Sequence, residues 1–214
     1  MPLWYRLVTF GFRLLYHEMA WTYDVVSRMV SFGQWRCWTQ QVLAHLNVMP
    51  GALVLELAHG TGNVQLDLHQ AGYRVLGLDF SPQMGGIAQH KLRRAGLAAR
   101  LVRGRAQELP FADASVEAIA CTFPTPFILE ESTLREASRV LRPGARLVIV
   151  PNAVLTGADV GTAALEWLYR VTGQRGGGGL DITGYFAQYG FDAQVVTSDC
   201  QQSRVTVIIA VKRG

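Results

Sequence analysis

The chain is short of the residues that mark several whole classes of protein. Only three of its 214 residues are cysteines, Cys37, Cys121 and Cys200, and no two stand at CxxC spacing. Close cysteine pairs signal zinc and redox sites, so no metal site is expected and no disulfide framework is indicated. The scarcity fits a reducing, cytoplasmic setting. Lysine is scarcer: Lys91 and Lys212 stand against eighteen arginines scattered along the chain. Nucleic-acid binding usually leaves a dense basic stripe, so the net charge of +4 reads as a solvated surface and no nucleic-acid partner is expected. No apolar run reaches the roughly 20 residues of a membrane span. Arg6, Arg13, His17 and Glu18 interrupt the N-terminal apolar stretch that a signal peptide would need.

What is present is ample core material: half of the residues are hydrophobic, enough for one globular domain of this length. Four of the five tryptophans, Trp4, Trp21, Trp35 and Trp38, fall in the first fifty residues. Leu3, Leu7, Phe10, Leu14 and Leu15 lie near helical spacing. One or two amphipathic helices are expected there, then another over 35–46, together a helical lid over 1–50. Residues 51–150 alternate strand and helix. Strands are expected at 53–57, 74–79, 100–103, 116–121 and 146–150, and helices at 63–71, 82–95 and 132–140. Ser81 and Ser132 are the expected N-caps, with Pro82 at a first helical position. Such alternation implies a mostly parallel sheet covered on both faces. An insertion follows at 151–182, with a helix over 163–171 and the glycine run Gly176 to Gly179 as a hinge. Residues 183–214 are expected to hold a helix and an antiparallel hairpin, with strands at 193–197 and 204–211.

The chemistry concentrates where the first strand meets the next helix, at Glu56, Leu57, Ala58, His59, Gly60, Thr61 and Gly62. Small residues in such a turn let a ligand approach the backbone at the carboxyl edge of the sheet. Asp79 ends the next strand, where an acid can accept hydrogen bonds from both hydroxyls of a ribose. A dinucleotide site would need a further glycine where Gln65 stands. A reductase is therefore the weaker nucleotide reading.

At this point the sequence resembles the class I S-adenosylmethionine (SAM) dependent methyltransferases. VLELAHGTG at 54–62 resembles their first motif and VLGLDFSPQM at 75–84 their second. GRAQELPFADAS at 104–115 resembles the segment that passes the adenine, and RVLRPG at 139–144 the element before the fifth strand. More weakly, Tyr23-Asp24, Ser31-Phe32-Gly33 and Trp35-Arg36 with Trp38 resemble the segment before the core in type-11, ubiquinone/menaquinone C-methyltransferases. The resemblance implies a Rossmann-like α/β fold: a seven-stranded, mostly parallel sheet, a C-terminal antiparallel hairpin and an N-terminal helical lid. It implies SAM as cofactor and a small lipophilic or aromatic acceptor.

Carried over position by position, Glu56 would face the amino-acid end of SAM, and Ala58, His59, Gly60, Thr61 and Gly62 its methionine portion. Asp79 would hold the ribose, Phe80 and Met84 would pack near the adenine, and Ala106 and Gln107 would line its edge. Cys121, Thr122 and Phe123 would face the sulfonium. Three positions depart from the family pattern: Ala58 replaces the first glycine, His59 a small residue and Arg105 an acid. Arginine has no acceptor to offer an adenine amino group. His59 is a candidate general base, or else a histidine that only bonds the turn or the SAM carboxylate. Cys121 reads as a buried strand-end residue rather than a nucleophile. Ala58 and Arg105 also leave open a non-catalytic, methyltransferase-like binding subunit. Trp4, Phe10 and Phe12 with Arg6 and Arg13 suggest peripheral membrane contact through the N-terminal helix.

Overall fold

The structure is a computed structural model, and it describes residues 22–156 and 181–214. The expected N-terminal helix, the helix at 163–171 and the glycine hinge lie outside the described residues.

Seven strands form one sheet in the order β3-β2-β1-β4-β5-β7-β6. They are β1 (Leu53–Leu57), β2 (Arg74–Asp79), β3 (Leu101–Arg103), β4 (Val116–Thr122), β5 (Leu141–Leu155), β6 (Phe191–Cys200) and β7 (Ser203–Lys212). The first five run parallel, while β7 lies antiparallel between β5 and β6. The expected sheet and terminal hairpin are therefore both present. The chain steps outward from β1 to β2 and β3, then returns to β4 on the other side of β1. The resulting switch point, between β1 and β4, is where open α/β sheets place ligands.

The helices are α1 (Tyr23–Val30), α2 (Trp35–His45), α3 (Asn63–Gln70), α4 (Pro82–Arg94), α5 (Glu131–Val140) and α6 (Ile182–Ala187). Strands buried on both faces alternate their apolar side chains between two cores. Leu55, Leu57, Ile119 and Ile149 pack with Leu134 and Ala137 of α5 and Phe186 of α6. Val54, Ala118, Val148 and Val207 pack with Trp38 and Val42 of α2 and Val64 and Leu68 of α3. Ser81 caps α4 as expected, its Oγ accepting from the Met84 N–H at 3.3 Å.

Three expectations need correction. Cys37 of α2 and Cys200 of β6 are joined by a disulfide, so the cysteine content no longer argues for a reducing compartment. The two are 163 positions apart, and only the packing of α2 on the β6–β7 hairpin brings them together. Strand β5 spans fifteen residues rather than the five expected. Leu141 already pairs with Val116, and 152–155 pair with β7 beyond a register shift after Ile149. Helix α5 is N-capped by Glu130 without a side-chain bond, and Ser132 lies inside its first turn.

Candidate functional site

Parallel pairing sets Leu57 beside both Leu78 and Cys121, so the ends of β1, β2 and β4 come level at one edge. Three left-handed residues then turn the chain out of β1: Ala58 at φ +54°, Gly60 at φ +53° and Gly62 at φ +81°. Gly62 is the N-cap of α3, and a Cβ there would lie 2.9 Å from the Ala88 Cβ of α4. Gly60 differs, since a Cβ there would meet nothing within 4 Å. The open side of the turn is therefore at Gly60.

Asp79 pins this turn from β2. Its Oδ2 accepts from the Gly60 N–H at 2.8 Å and its Oδ1 from the Ser81 N–H at 2.8 Å. An ionised carboxylate has about four acceptor sites, so these bonds leave capacity for two hydroxyls. Phe80 follows and is 59% exposed. The Cζ atoms of Arg103 and Arg105 each stand 6.0 Å from its centroid, within cation–π range. Arg105 thus braces the aromatic platform where the family pattern has an acid.

On the other side of β1, Phe123 follows β4 at φ +48°, its N–H donating to Val150 O at 2.7 Å. Trp35 of α2 stacks on it at 4.4 Å between centroids, with Trp38 at 6.0 Å. Tyr23 of α1 meets Trp35 edge-on at 6.2 Å. An aromatic wall therefore stands beside the turn, at the end of β4.

With this geometry in hand, comparison with known proteins places the chain. The model of the ubiE/COQ5 methyltransferase family matches residues 12–177. The chain belongs to the ubiE/COQ5 methyltransferase family. It is 39% identical over 136 residues to the demethylmenaquinone methyltransferase of Beutenbergia cavernae, covering 63% of this chain and 55% of that protein. It is 37% identical over 145 residues to the demethylmenaquinone methyltransferase of Lactiplantibacillus plantarum, covering 65% and 61%. The chain thus spans less than two thirds of the length of these relatives. Among solved structures, the YcgJ protein of Bacillus subtilis aligns with TM-score 0.64 at 16% identity, over 83% of this chain and 99% of that one. The geranyl diphosphate C-methyltransferase of Streptomyces coelicolor, in complex with S-adenosylhomocysteine, aligns with TM-score 0.60 at 13% identity, over 82% and 78%. At such identities the likeness is one of fold.

Within this ubiE/COQ5 frame, the motif residues divide into a rim and a floor. Ala58, Gly60, Asp79, Phe80 and Phe123 surround the open edge. Glu56, His59, Thr61, Met84, Ala106 and Cys121 are buried beneath it. Glu56 is 1% exposed and accepts from Gln65 Nε2 at 2.7 Å. Its burial pushes the carboxyl up to about 8, against the Gln65 bond and helped by the charges of Asp79 and Asp67. His59 is 4% exposed, with Nδ1 2.9 Å from Gly60 O, so Nδ1–H donates to that carbonyl. Its ring sits where a Gly77 side chain would be, 2.9 Å from that Cβ position. Burial lowers its pKa despite the opposing charge of Asp79, which favours the neutral ring. Burial raises the Cys121 thiol well above its ordinary range, which is unfavourable for a nucleophile. Gln107 donates to Glu130 Oε2 at 2.7 Å. Thr122 is partly exposed at the end of β4.

Two residues that the motif reading gave no site role also reach the turn. Asp24 of α1 bonds the glycine turn directly, at Thr61 and Asn63. Lys91 of α4 joins that cluster, and its rarity in an arginine-rich chain was the available hint. A separate cleft of about 570 Å³ opens at the opposite edge of the sheet, between Met49, Arg74 and Arg142. Its carboxylate, Glu117, is already engaged by Arg142 and the Leu53 N–H, so the polar chemistry converges elsewhere. Among the described residues no cluster suits a metal ion, and no helix is long and apolar enough to cross a membrane.

Proposed function

We propose that this chain transfers a methyl group from SAM to a carbon of a lipophilic, quinone-type acceptor. The observation that carries the reading is the juxtaposition of the Asp79-pinned glycine turn with the Phe123–Trp35 wall at one sheet edge. The residues present fit SAM: the turn is open at Gly60, Asp79 has acceptor capacity to spare and Phe80 offers an exposed ring. Asp79 would accept from the ribose hydroxyls, Phe80 would pack against the adenine with Ala106 and Gln107 near its edge, and residues 58–62 would pass the methionine portion. Met84, Glu56 and Cys121 would shape the floor from below.

When bound, SAM supplies a methyl group already activated on a sulfonium. The protein's part is then to align the acceptor and exclude water. Tyr23, Trp35 and Phe123 suit that part, because a planar ring stacks on aromatic faces. The names of the two demethylmenaquinone methyltransferase relatives support the quinone class. A lipophilic acceptor also suits work at a membrane surface, with residues 1–21 as the contact. His59 bonds the turn from beneath and is better suited to shaping it than to removing a proton from the acceptor. The two departures behind a non-catalytic reading are accommodated, since Ala58 completes the turn and Arg105 braces Phe80.

Calorimetric titration with SAM, followed by transfer of labelled methyl to a demethylated naphthoquinone, tests the proposal. Asp79→Asn should weaken SAM binding by about 100-fold, the effect of losing charge-assisted bonds worth about 3 kcal/mol together. No heat with SAM overturns the reading. SAM binding without label transfer to naphthoquinones or benzoquinones overturns the acceptor class.

A further inference from the structure

Helix α1 meets the glycine turn through one carboxylate. Asp24 Oδ1 accepts from the Thr61 hydroxyl at 2.6 Å and from Asn63 Nδ2 at 2.9 Å. Its Oδ2 accepts from Lys91 Nζ at 2.8 Å, and Lys91 also donates to Asn63 Oδ1 at 2.7 Å. Three side chains, from α1, α4 and the start of α3, therefore form a cluster with the Thr61 hydroxyl. A compact ammonium on a flexible stem can serve both oxygens, which a planar guanidinium does less readily.

The turn needs such support. Its three left-handed residues stand outside any helix or strand ladder, with a single backbone bond inside the turn, Gly62 N–H to His59 O at 3.0 Å, so side chains add to its hold. Asp79 grips it at Gly60 from β2, and Asp24 grips it at Thr61 from α1. The residue before Asp24 faces the other half of the site, because Tyr23 contacts Trp35 on the aromatic wall. One dipeptide thus touches both the turn and the wall.

We propose that Asp24 is a positioning residue for the cofactor: acting through Thr61, it holds the turn in its SAM-binding shape and couples that shape to the docked position of α1. This rests on the SAM reading of the turn. Burial works against ionisation of Asp24, but the bonds from Lys91, Thr61 and Asn63 outweigh it, and the carboxyl is held below its usual range. The cluster therefore stays charged at neutral pH. Removing the carboxylate takes away the acceptor of the Thr61 hydroxyl, which keeps only a 3.4 Å contact from Asn63 Nδ2, and leaves Lys91 with Asn63 alone.

The test is calorimetry with SAM on the full chain, with steady-state kinetics and melting curves, for the wild type, Asp24→Ala, Asp24→Asn and Lys91→Met. Asp24→Ala should raise both Kd and KM for SAM about tenfold, the loss of one charge-assisted bond, with kcat within about threefold. Asp24→Asn keeps an acceptor for Thr61 and should recover part of the loss. Lys91→Met should fall between the two. If Asp24→Ala lowers the melting temperature but leaves SAM affinity within about twofold of wild type, Asp24 is only structural and the proposal is overturned. Should Asp24→Ala fail to fold, hydrogen exchange on the wild type decides. SAM must then protect 22–30 together with 58–63, and protection of 58–63 alone overturns the coupling. A wild type that gives no heat with SAM overturns the cofactor reading and this proposal together. Normal wild-type binding with an unaffected Asp24→Ala overturns this proposal alone.

Discussion

The two halves of the site are held in different ways. On the β1–β2 side, neighbours in sequence do most of the work: a strand end, a glycine turn and an aspartate that receives nearby backbone N–H groups. On the β4–β7 side, α2 is fastened by partners from the far end of the chain. Trp38 Nε1 donates to Ser203 Oγ at 2.6 Å, and Ser203 Oγ donates to Gln34 Oε1 at 2.6 Å. His45 lies 3.3 Å from Ser198 Oγ, and Cys37 is bonded covalently to Cys200. The first half takes its frame from β1 and β2, and the Asp24 cluster from α1 and α4 adds to it once those helices dock. The second exists only after the hairpin has docked. A glycine turn framed mainly by β1 and β2 and an aromatic wall fastened by the far end of the chain can respond separately to stress.

Breaking the disulfide should separate them most. A bridge closing so long a loop stabilises mainly by restricting the unfolded chain, and removing one typically costs about 2–4 kcal/mol. Cys37→Ala with Cys200→Ala should shift urea unfolding by that amount. In hydrogen exchange, 35–45 and 191–212 should lose protection while 58–62 keeps it. Equal loss across the turn would show that the two halves unfold as one unit, contrary to the comparison.

The same division governs what could be read in advance. Strands β1 and β2 occupy the spans expected of them, because short apolar runs buried on both faces end at plain turn signals. The shape of the β1–β2 turn was legible for the same reason, since it follows from the order Gly60, Gly62, Asp79. The floor was less so. Gln65 reads from sequence only as a missing glycine, yet it is fully buried and donates to Glu56. Strand β5 looked short because Arg142, Pro143 and Gly144 resemble a turn, while its second half is supported by β7. The disulfide and the Asp24 cluster were out of reach, as their partners come from elements that sequence spacing does not relate.

Glu56 offers a way to sharpen the contrast from beneath the turn. Its folded pKa of about 8 lies above the ordinary 4.5, so between those values the folded state holds one more proton than the unfolded. Stability therefore falls as pH rises through that window. The lowered pKa values of His45, His59 and His69 act in the opposite sense near their ordinary 6.5, so the informative quantity is a difference. Glu56→Gln keeps the shape and has no charge to lose. Its melting temperature relative to wild type should climb steadily from pH 5 to pH 8.5. A gap that does not change with pH would mean that Glu56 ionises normally in the fold.

The smallest effect is expected at Ala58. A left-handed φ of +54° costs a non-glycine residue roughly 1–2 kcal/mol, because Cβ crowds the carbonyl oxygen. Glycine would remove that cost but would enlarge the unfolded ensemble, offsetting about half of the gain. Ala58→Gly should therefore raise stability by no more than about 1 kcal/mol, a shift of roughly 2–4 °C in melting temperature for a chain of this size. The gain should be confined to the cofactor half: SAM affinity equal to or better than wild type, and exchange in α2 unchanged. A loss of stability instead would mean that the alanine methyl makes a packing contact worth more than the backbone strain it carries. The turn would then owe its shape to Ala58 as well as to the two carboxylates that grip it.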